Sequence, residues 1–305
     1  MDAVISYNVP HLFGEGGVMP WGFLIVLHFF LSGLSAGAFL TSAAASAIDG
    51  VKYRKMATVG AYMSFLALLA DIPLLILDLD RPLRFINMLF HFNVTAPLSW
   101  GVLFITGLFI FSLLNILIMS GNEAVAKMKS AILCIGSILA IGVSAYTAIA
   151  LNIATNARPI WANGIVIPLF IVASIITGTA AVSLVLALTG DEKPSLSCLG
   201  STNAVLVLAQ LIMVVSLLIS ISTSSPISQE LAHIMLKGDM ALLVWGGLLF
   251  IGLVSPMFIL WMTTMSKKEG SIGSGTSALV SVMILTGVFI LRYLIVYGGQ
   301  ILPLT

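Results

Sequence analysis

The chain has 305 residues, of which 59% are hydrophobic and 8% are charged, and its formal net charge is +1 at pH 7. A soluble globule of this size needs more polar surface than this composition provides, and a nearly balanced charge offers no basic surface for nucleic acid. The composition therefore excludes a soluble globular protein, and the charge argues against a nucleic-acid-binding protein. The mean hydropathy of +1.14 predicts an integral membrane protein.

Apolar runs of about 20 residues, the length of helix that crosses about 30 Å of hydrocarbon, recur along the chain. We predict an all-α, polytopic membrane protein with a single integral membrane domain over residues 1–305. Its eight predicted transmembrane helices lie near Pro20–Ile48, Ala57–Leu77, Pro97–Met119, Ser130–Ile153, Ile165–Leu188, Ala204–Ile221, Met240–Met262 and Thr276–Val296. The first run has no basic residue before it and is too long for a signal peptide, so we expect it to be retained.

Two connecting segments, Asp78–Ala96 and Ser225–Lys237, have the features of short helices at the membrane surface. Asp80 and Ser225 can each cap a helix whose proline is tolerated in the first turn. Apolar side chains in both segments can lie in the interface. Both segments are expected on the outer face of the membrane.

The distribution of basic residues predicts how the chain is oriented. Four loops on one side hold Lys52, Arg54, Lys55, Lys127, Lys129, Lys193, Lys267 and Lys268, whereas the other side holds Arg81, Arg84, Arg158 and Lys237. Basic loops face the cytoplasm in most membrane proteins. We therefore expect a multi-pass protein of the cell inner membrane with both termini outside.

Ionisable groups inside a bilayer are costly and usually mark a functional site. His28 lies in the first predicted span, about 12 Å below the outer surface at 1.5 Å per residue, and Asp71 lies in the second, about 9 Å deep. Tyr146 in the fourth span falls about 10 Å below the same surface. The shared depth makes these three side chains the candidate catalytic residues.

Each candidate also has an ordinary structural explanation. An imidazole can be satisfied by a backbone carbonyl, and a buried tyrosine commonly has a satisfied hydroxyl; a carboxylate costs more to bury. Gly33 and Gly37 form a small-xxx-small pair that favours helix packing. The tryptophans at the outer boundary, Trp21, Trp100 and Trp161, are interpreted as an aromatic belt, and Arg292 lies near the outer end of the last helix.

The two cysteines indicate no disulfide and no metal cluster. Cys134 lies in a predicted span and Cys198 in a predicted cytoplasmic loop, whereas zinc and iron–sulfur sites need several ligands at close spacing. Haem b needs paired histidines on facing helices, yet His28 alone of the four lies within a predicted span. We expect no haem and no iron–sulfur cluster in this chain.

Several segments resemble one family of membrane subunits. They include LLILDLDRPLRF, which is followed by PLSWG, then NARPIWANG followed by a helix rich in Thr, Ser and Gly, and the C-terminal ILRYLIVYGGQ. Together with residues 7–40, they are similar to the NrfD/polysulfide-reductase membrane-subunit family. The likeness covers helices one to five and the last helix, while helices six and seven match in hydropathy alone.

The resemblance implies an eight-helix anchor, built as two four-helix bundles, that exchanges electrons between menaquinol or ubiquinol and an iron–sulfur partner subunit. A molybdopterin catalytic subunit usually completes such complexes and holds the site for the terminal substrate. Menaquinone is the expected quinone. By likeness, His28 and Tyr146 match residues that hydrogen-bond the quinone carbonyls.

Physical chemistry supports the same role independently. Quinol oxidation needs an apolar slot, donors at the ring oxygens and a base for each proton. We assign His28 and Tyr146 to the ring oxygens, Asp71 to proton acceptance, and Arg158 to a charge near the mouth that could pair with Asp71, Asp78 or the partner subunit. The alternatives are a secondary transporter, whose polar groups usually meet at the midplane, and a non-redox membrane anchor.

Overall fold

The computed structural model describes residues 21–77, 91–154, 158–190, 193–265 and 273–301, and within these ranges it contains helices and no strands. The first half comprises α1 (Phe23–Asp49), α2 (Arg54–Leu77), α3 (Pro97–Met119), the single turn α4 (Glu123–Ala126) and α5 (Lys129–Ala154). The second half comprises α6 (Val166–Leu188), α7 (Lys193–Thr223), α8 (Pro226–Lys237), the π-helix π1 (Leu243–Val254), α9 (Ser255–Met265) and α10 (Ser274–Ile301).

Within the described ranges, eight stretches of helix are long and apolar enough to cross a membrane, which confirms the predicted number of transmembrane helices. Six of the eight are α1, α2, α3, α5, α6 and α10. The other two are α7 and the continuous helix that π1 and α9 form together over Leu243–Thr263. The all-α, polytopic fold class is therefore confirmed.

The predicted start of the sixth membrane helix is wrong. Helix α7 begins at Lys193, not near Ala204, and therefore includes Cys198, for which the sequence predicts a loop. The segment KPSLSCLG is only weakly apolar, so a search for apolar runs does not include it. Proline at the second helical position is tolerated, because the first amides of a helix have no intrahelical partner.

The membrane helices pack in two groups that meet along α1. In the first group α1 contacts α2, α3 and α5, and in the second group α10 contacts α6, α7 and π1. Helix α1 also packs extensively on α6, and this contact joins the groups. The division into two four-helix bundles stays a prediction, because α1 makes close contacts on both sides.

Helix α8 confirms the short helix predicted at Ser225–Lys237. The Ser225 hydroxyl accepts a hydrogen bond from the Ser228 amide at 3.3 Å, and Pro226 occupies the first turn. Leu231, Ala232 and Met235 are buried against the bundle. Most of the other predicted surface helix, Asp78–Ala96, lies outside the described residues, together with Arg81 and Arg84.

Contacts between helix ends identify two faces of the molecule. The backbone amide of Trp21 donates to Gln300 Oε1 at 3.1 Å, and Gln300 Nε2 donates back to the Trp21 carbonyl at 3.0 Å. The start of α1 and the end of α10 therefore share one face, which we call the site face. At the opposite ends of the helices, Lys129 Nζ lies beside Gly50 where α1 ends, and we call this the basic face.

Trp161 lies inside the protein on the site face, and its assignment to an aromatic belt is wrong. Its side chain is 1% exposed and stacks on Trp21 with 5.1 Å between ring centroids. Its indole N–H donates to the Ile295 carbonyl at 2.7 Å. Trp161 therefore ties the loop before α6 to α10 instead of contacting lipid.

Candidate functional site

His28 and Asp71 form a buried ion-pair geometry between α1 and α2. The His28 Nδ1 atom lies 2.8 Å from Asp71 Oδ1, and the two side chains are 1% and 0% exposed. The pair sits just below the site face, because α1 enters the bundle at Phe23 and α2 leaves it at Leu77. The common depth predicted from the sequence therefore corresponds to direct contact between these two residues.

The other polar atom of each side chain has no hydrogen-bond partner among the described residues. Within the described part of the chain, neither His28 Nε2 nor Asp71 Oδ2 has a hydrogen-bond partner, although both are buried. Buried polar atoms are normally hydrogen-bonded, so an unpaired pair of this kind calls for an explanation. A carboxylate at Nδ1 favours the tautomer that carries its proton there, which leaves a lone pair on Nε2.

The ring of His28 is held by aromatic neighbours on one side. Its centroid lies 5.6 Å from that of Phe29, which in turn packs edge-on against Phe170 of α6 at 6.0 Å and against Trp21 at 6.3 Å. The rings of Phe29, Phe170 and Trp21 form part of the largest apolar cluster among the described residues. The imidazole therefore lies between its carboxylate partner and the ring of Phe29, which is itself packed into this cluster.

Tyr146 on α5 borders an apolar cavity of about 350 Å³ at the start of α3. The other lining residues include Pro97, Trp100, Phe104 and Ile149. Tyr146 itself is 5% exposed, and a methyl group on Gly101 would lie 2.1 Å from its ring carbon Cζ. Glycine at position 101 is thus what allows α3 to pass over the tyrosine ring.

The structure brings the three predicted catalytic residues together only in part. The side chains of His28 and Asp71 are in hydrogen-bond contact. His28 does not line the cavity that Tyr146 borders. Tyr146 nevertheless belongs to the apolar cluster of the first helix group, to which Leu75 of α2 also contributes.

Arg158 lies on the site face but contacts the end of α10. Its guanidinium donates to the Gly299 carbonyl and lies 5.2 Å from the centroid of the Trp161 ring. Burial lowers the pKa of this guanidinium from its usual value. The described ion pair of Asp71 is with His28, and Asp78, the other proposed partner of Arg158, falls outside the described residues.

Arg292 is a buried cation whose depth the sequence did not reveal. It is 0% exposed, its Nη2 atom donates to the Phe170 carbonyl at 3.2 Å and to Ser174 Oγ at 3.0 Å, and its guanidinium carbon lies 3.7 Å from the Phe170 ring centroid. The sequence offered one signal of this burial, namely that Arg292 is a single basic residue in an otherwise apolar span. The assumed end of the span at Val296 made this arginine look shallow, whereas α10 continues to Ile301.

Comparison with known proteins places the chain among membrane subunits. The family model described as polysulphide reductase, NrfD, matches residues 12–303. The C subunit of polysulfide reductase from Wolinella succinogenes is 26% identical over 92% of this protein and 94% of its own length. The NrfD homolog of Haemophilus influenzae is 24% identical over 99% of this protein and 98% of its own length.

A third relative extends the comparison to an archaeon. The Hdr-like menaquinol oxidoreductase integral membrane subunit of Archaeoglobus fulgidus is 25% identical over 57% of this protein and 44% of its own length. The name of this relative refers to menaquinol. Within the described residues of our protein, no three His, Cys, Asp or Glu side chains cluster as metal ligands would.

Proposed function

We propose a function from the premise that the family match establishes, namely that this chain belongs to the NrfD polysulphide reductase family. Members of this family are membrane subunits of oxidoreductase complexes. The chain would act as the quinol-reactive anchor of such a complex, taking electrons from menaquinol or ubiquinol and passing them to a partner subunit. The terminal substrate would be handled by another subunit.

The observation that carries this proposal is the buried pair of His28 and Asp71 with its two unpaired polar atoms. Oxidation of a quinol releases two electrons and two protons, so a base must stand at a ring hydroxyl. With its proton on Nδ1, His28 would present the Nε2 lone pair to that hydroxyl and accept its proton. The Asp71 carboxylate would stabilise the imidazolium that results, as paired carboxylates do in other acid–base sites.

Tyr146 would serve the opposite ring oxygen. A phenol donates a hydrogen bond to an oxygen that is losing its proton, and the apolar cavity beside it falls within the range of about 300–1,000 Å³ typical of ligand pockets. Menaquinone is our expected quinone, in line with the name of the archaeal relative. Arg158, on the same face, would contribute positive charge near the mouth or toward the partner.

The partner would be an iron–sulfur subunit seated on the site face, and a molybdopterin subunit beyond it would hold the terminal substrate. A position above the His28 and Asp71 pair keeps the distance for electron transfer short. We further propose that the site face lies outside the cytoplasm in the cell inner membrane, because the opposite face carries most of the lysines.

The proposal is tested by quinol oxidation in the assembled complex. His28→Ala and Tyr146→Phe each remove one hydrogen bond to the ring, so we expect turnover to fall at least about tenfold with normal assembly. Tyr62→Phe is the matched control, because Tyr62 is 44% exposed on the outer surface of α2 and should leave turnover unchanged.

Full quinol-dependent turnover in the His28 variant would show that this histidine is not the base. Full turnover in both site variants would show that neither residue takes part in quinol oxidation, and the anchor itself must then be tested. A complex that lacks the anchor but still oxidises quinol would favour the alternative of a non-redox anchor.

A further inference from the structure

A large groove opens between the two helix groups on the half of the molecule opposite the quinol site. It has a volume of about 740 Å³ and is walled by α1, α5, α6 and α7. Leu40 and Ala44 of α1 face Leu133 of α5 and Ile175 of α6 across it. The groove thus lies along the seam where α1 joins the two groups.

The walls of this groove include hydroxyl side chains, but three of these hydroxyl groups donate their hydrogen bonds within the protein. Thr41 donates to the Gly37 carbonyl at 2.7 Å, Ser137 to the Leu133 carbonyl at 2.7 Å, and Thr179 to Asn203 Oδ1 at 2.6 Å. Because these hydroxyl protons are already donated within the protein, the walls favour a hydrocarbon occupant. A polar occupant would leave its own groups unsatisfied there.

The mouth of the groove, in contrast, carries a positive charge. Lys129 begins α5 at the basic face and lines the groove together with Ser46 and Ser130. Within the described residues, no carboxylate lies at ion-pair distance from its ammonium group. Lys52, Arg54, Lys55 and Lys127 lie on the same face and outnumber its two described carboxylates, Asp49 and Glu123, so the potential there is positive.

We propose that this groove is a binding site for an anionic phospholipid of the leaflet on the basic face. One acyl chain would lie along the apolar walls, and the phosphate headgroup would pair with Lys129 at the mouth. Basic pockets between transmembrane helices recognise anionic headgroups in this way. A lipid in this position contacts both helix groups, so it would also stabilise their packing.

Cys134 provides a built-in probe, because it is exposed and lines the groove. In a Cys198→Ser background it is the remaining cysteine of the protein. The purified full-length protein is reconstituted into nanodiscs of phosphatidylcholine alone or of phosphatidylcholine with phosphatidylglycerol, and alkylation of Cys134 by N-ethylmaleimide is followed. We expect labelling to be roughly fivefold slower with phosphatidylglycerol, the protection expected from one basic residue at an anionic surface.

Lys129→Gln should abolish this difference between the two lipid compositions, whereas Lys127→Gln should retain it, because Lys127 is on the same face but does not line the groove. Ala44→Phe, which fills the groove, should also abolish the difference. Equal labelling in both nanodiscs for the unchanged protein, or protection that survives Lys129→Gln, would overturn the proposal. Protection that required added menaquinone instead would assign the groove to a quinone tail and contradict it.

Discussion

At the scale of single residues, the buried His28 and Asp71 pair joins two ionisable side chains inside the protein. A carboxylate buried at 0% exposure is strongly destabilising unless a partner compensates it, and the imidazole at 2.8 Å is that partner. A variant without the imidazole can still assemble, because a buried carboxyl group that loses its partner takes up a proton instead of staying charged. The simplest reason to keep such a pair inside a membrane helix bundle is the chemistry of its unpaired atoms.

Asp71→Asn removes the negative charge of this side chain but keeps an acceptor for its hydrogen bond with His28. The asparagine carbonyl can still accept from His28 Nδ1, so the imidazole should keep its orientation and the KM for quinol should change little. The lost negative charge no longer stabilises the imidazolium, and we expect kcat to fall by about 10²-fold, a typical contribution of general acid–base catalysis. Steady-state oxidation of quinol by the assembled complex measures both constants.

Ser112→Ala is the control for this experiment. Ser112 is buried in the same helix group and bonds Ser64 Oγ at 2.8 Å, yet it lies away from the proposed site, so its loss should leave kcat unchanged. If Asp71→Asn kept the normal kcat while Asp71→Ala lost it, the carboxylate would act only by positioning His28.

At the scale of elements, the contact between α1 and α6 holds the two helix groups together. A Cβ on Gly37 would lie 2.0 Å from the Ser174 carbonyl oxygen, and one on Gly178 would lie 1.9 Å from the Gly37 carbonyl carbon. The backbones of the two helices therefore touch at these glycines. This confirms the packing role predicted for the Gly33 and Gly37 pair, whose Gly33 member lies against Ser174.

Gly178→Ala should force α1 and α6 apart. The added methyl group meets backbone atoms, which cannot rotate away, and overpacking of this kind costs about 1–3 kcal/mol. We expect a lower midpoint of thermal unfolding for the purified protein in detergent. Gly164→Ala should leave the midpoint unchanged, because Gly164 has no atom within 4 Å of an added Cβ; equal midpoints for both variants would mean that the helices can slide to make room.

At the scale of the whole molecule, the two faces have different chemistry. The site face carries α8, Arg158 and the paired rings of Trp21 and Trp161, while the basic face carries most of the lysines. The His28 and Asp71 pair lies beneath the site face. An electron acceptor docked on that face would be much closer to the pair than one docked across the membrane.

Cross-linking of the assembled complex tests this choice of face. An amine-reactive cross-linker should join the partner subunit to Lys237, which is exposed at the end of α8. Lys127, equally exposed on the basic face, is the matched reference and should remain unlinked to the partner. Links at Lys127 without links at Lys237 would place the partner on the basic face and reverse the proposed docking.

The sequence by itself determined the number of spans, the short helix at Ser225–Lys237 and the three residues of common depth. These follow from local properties: an apolar run must be about 20 residues long to cross hydrocarbon, and the rise of a helix converts position along the sequence into depth. The same reasoning missed the start of α7, because the first turns of this helix are polar enough to resemble a loop.

Only the tertiary structure decided which residues of equal depth meet, because depth fixes one coordinate and leaves the rotation and lateral position of each helix open. The close approach at Gly37 and Gly178 sets where α6 lies on α1, and Phe170 of α6 packs on Phe29, next to His28 in the sequence. In this arrangement His28 contacts Asp71 of α2, whereas Tyr146 faces a cavity beside α3. Packing between helices likewise buried Trp161 and Arg292, since burial depends on what stands opposite a side chain and not on the residues that flank it in the sequence.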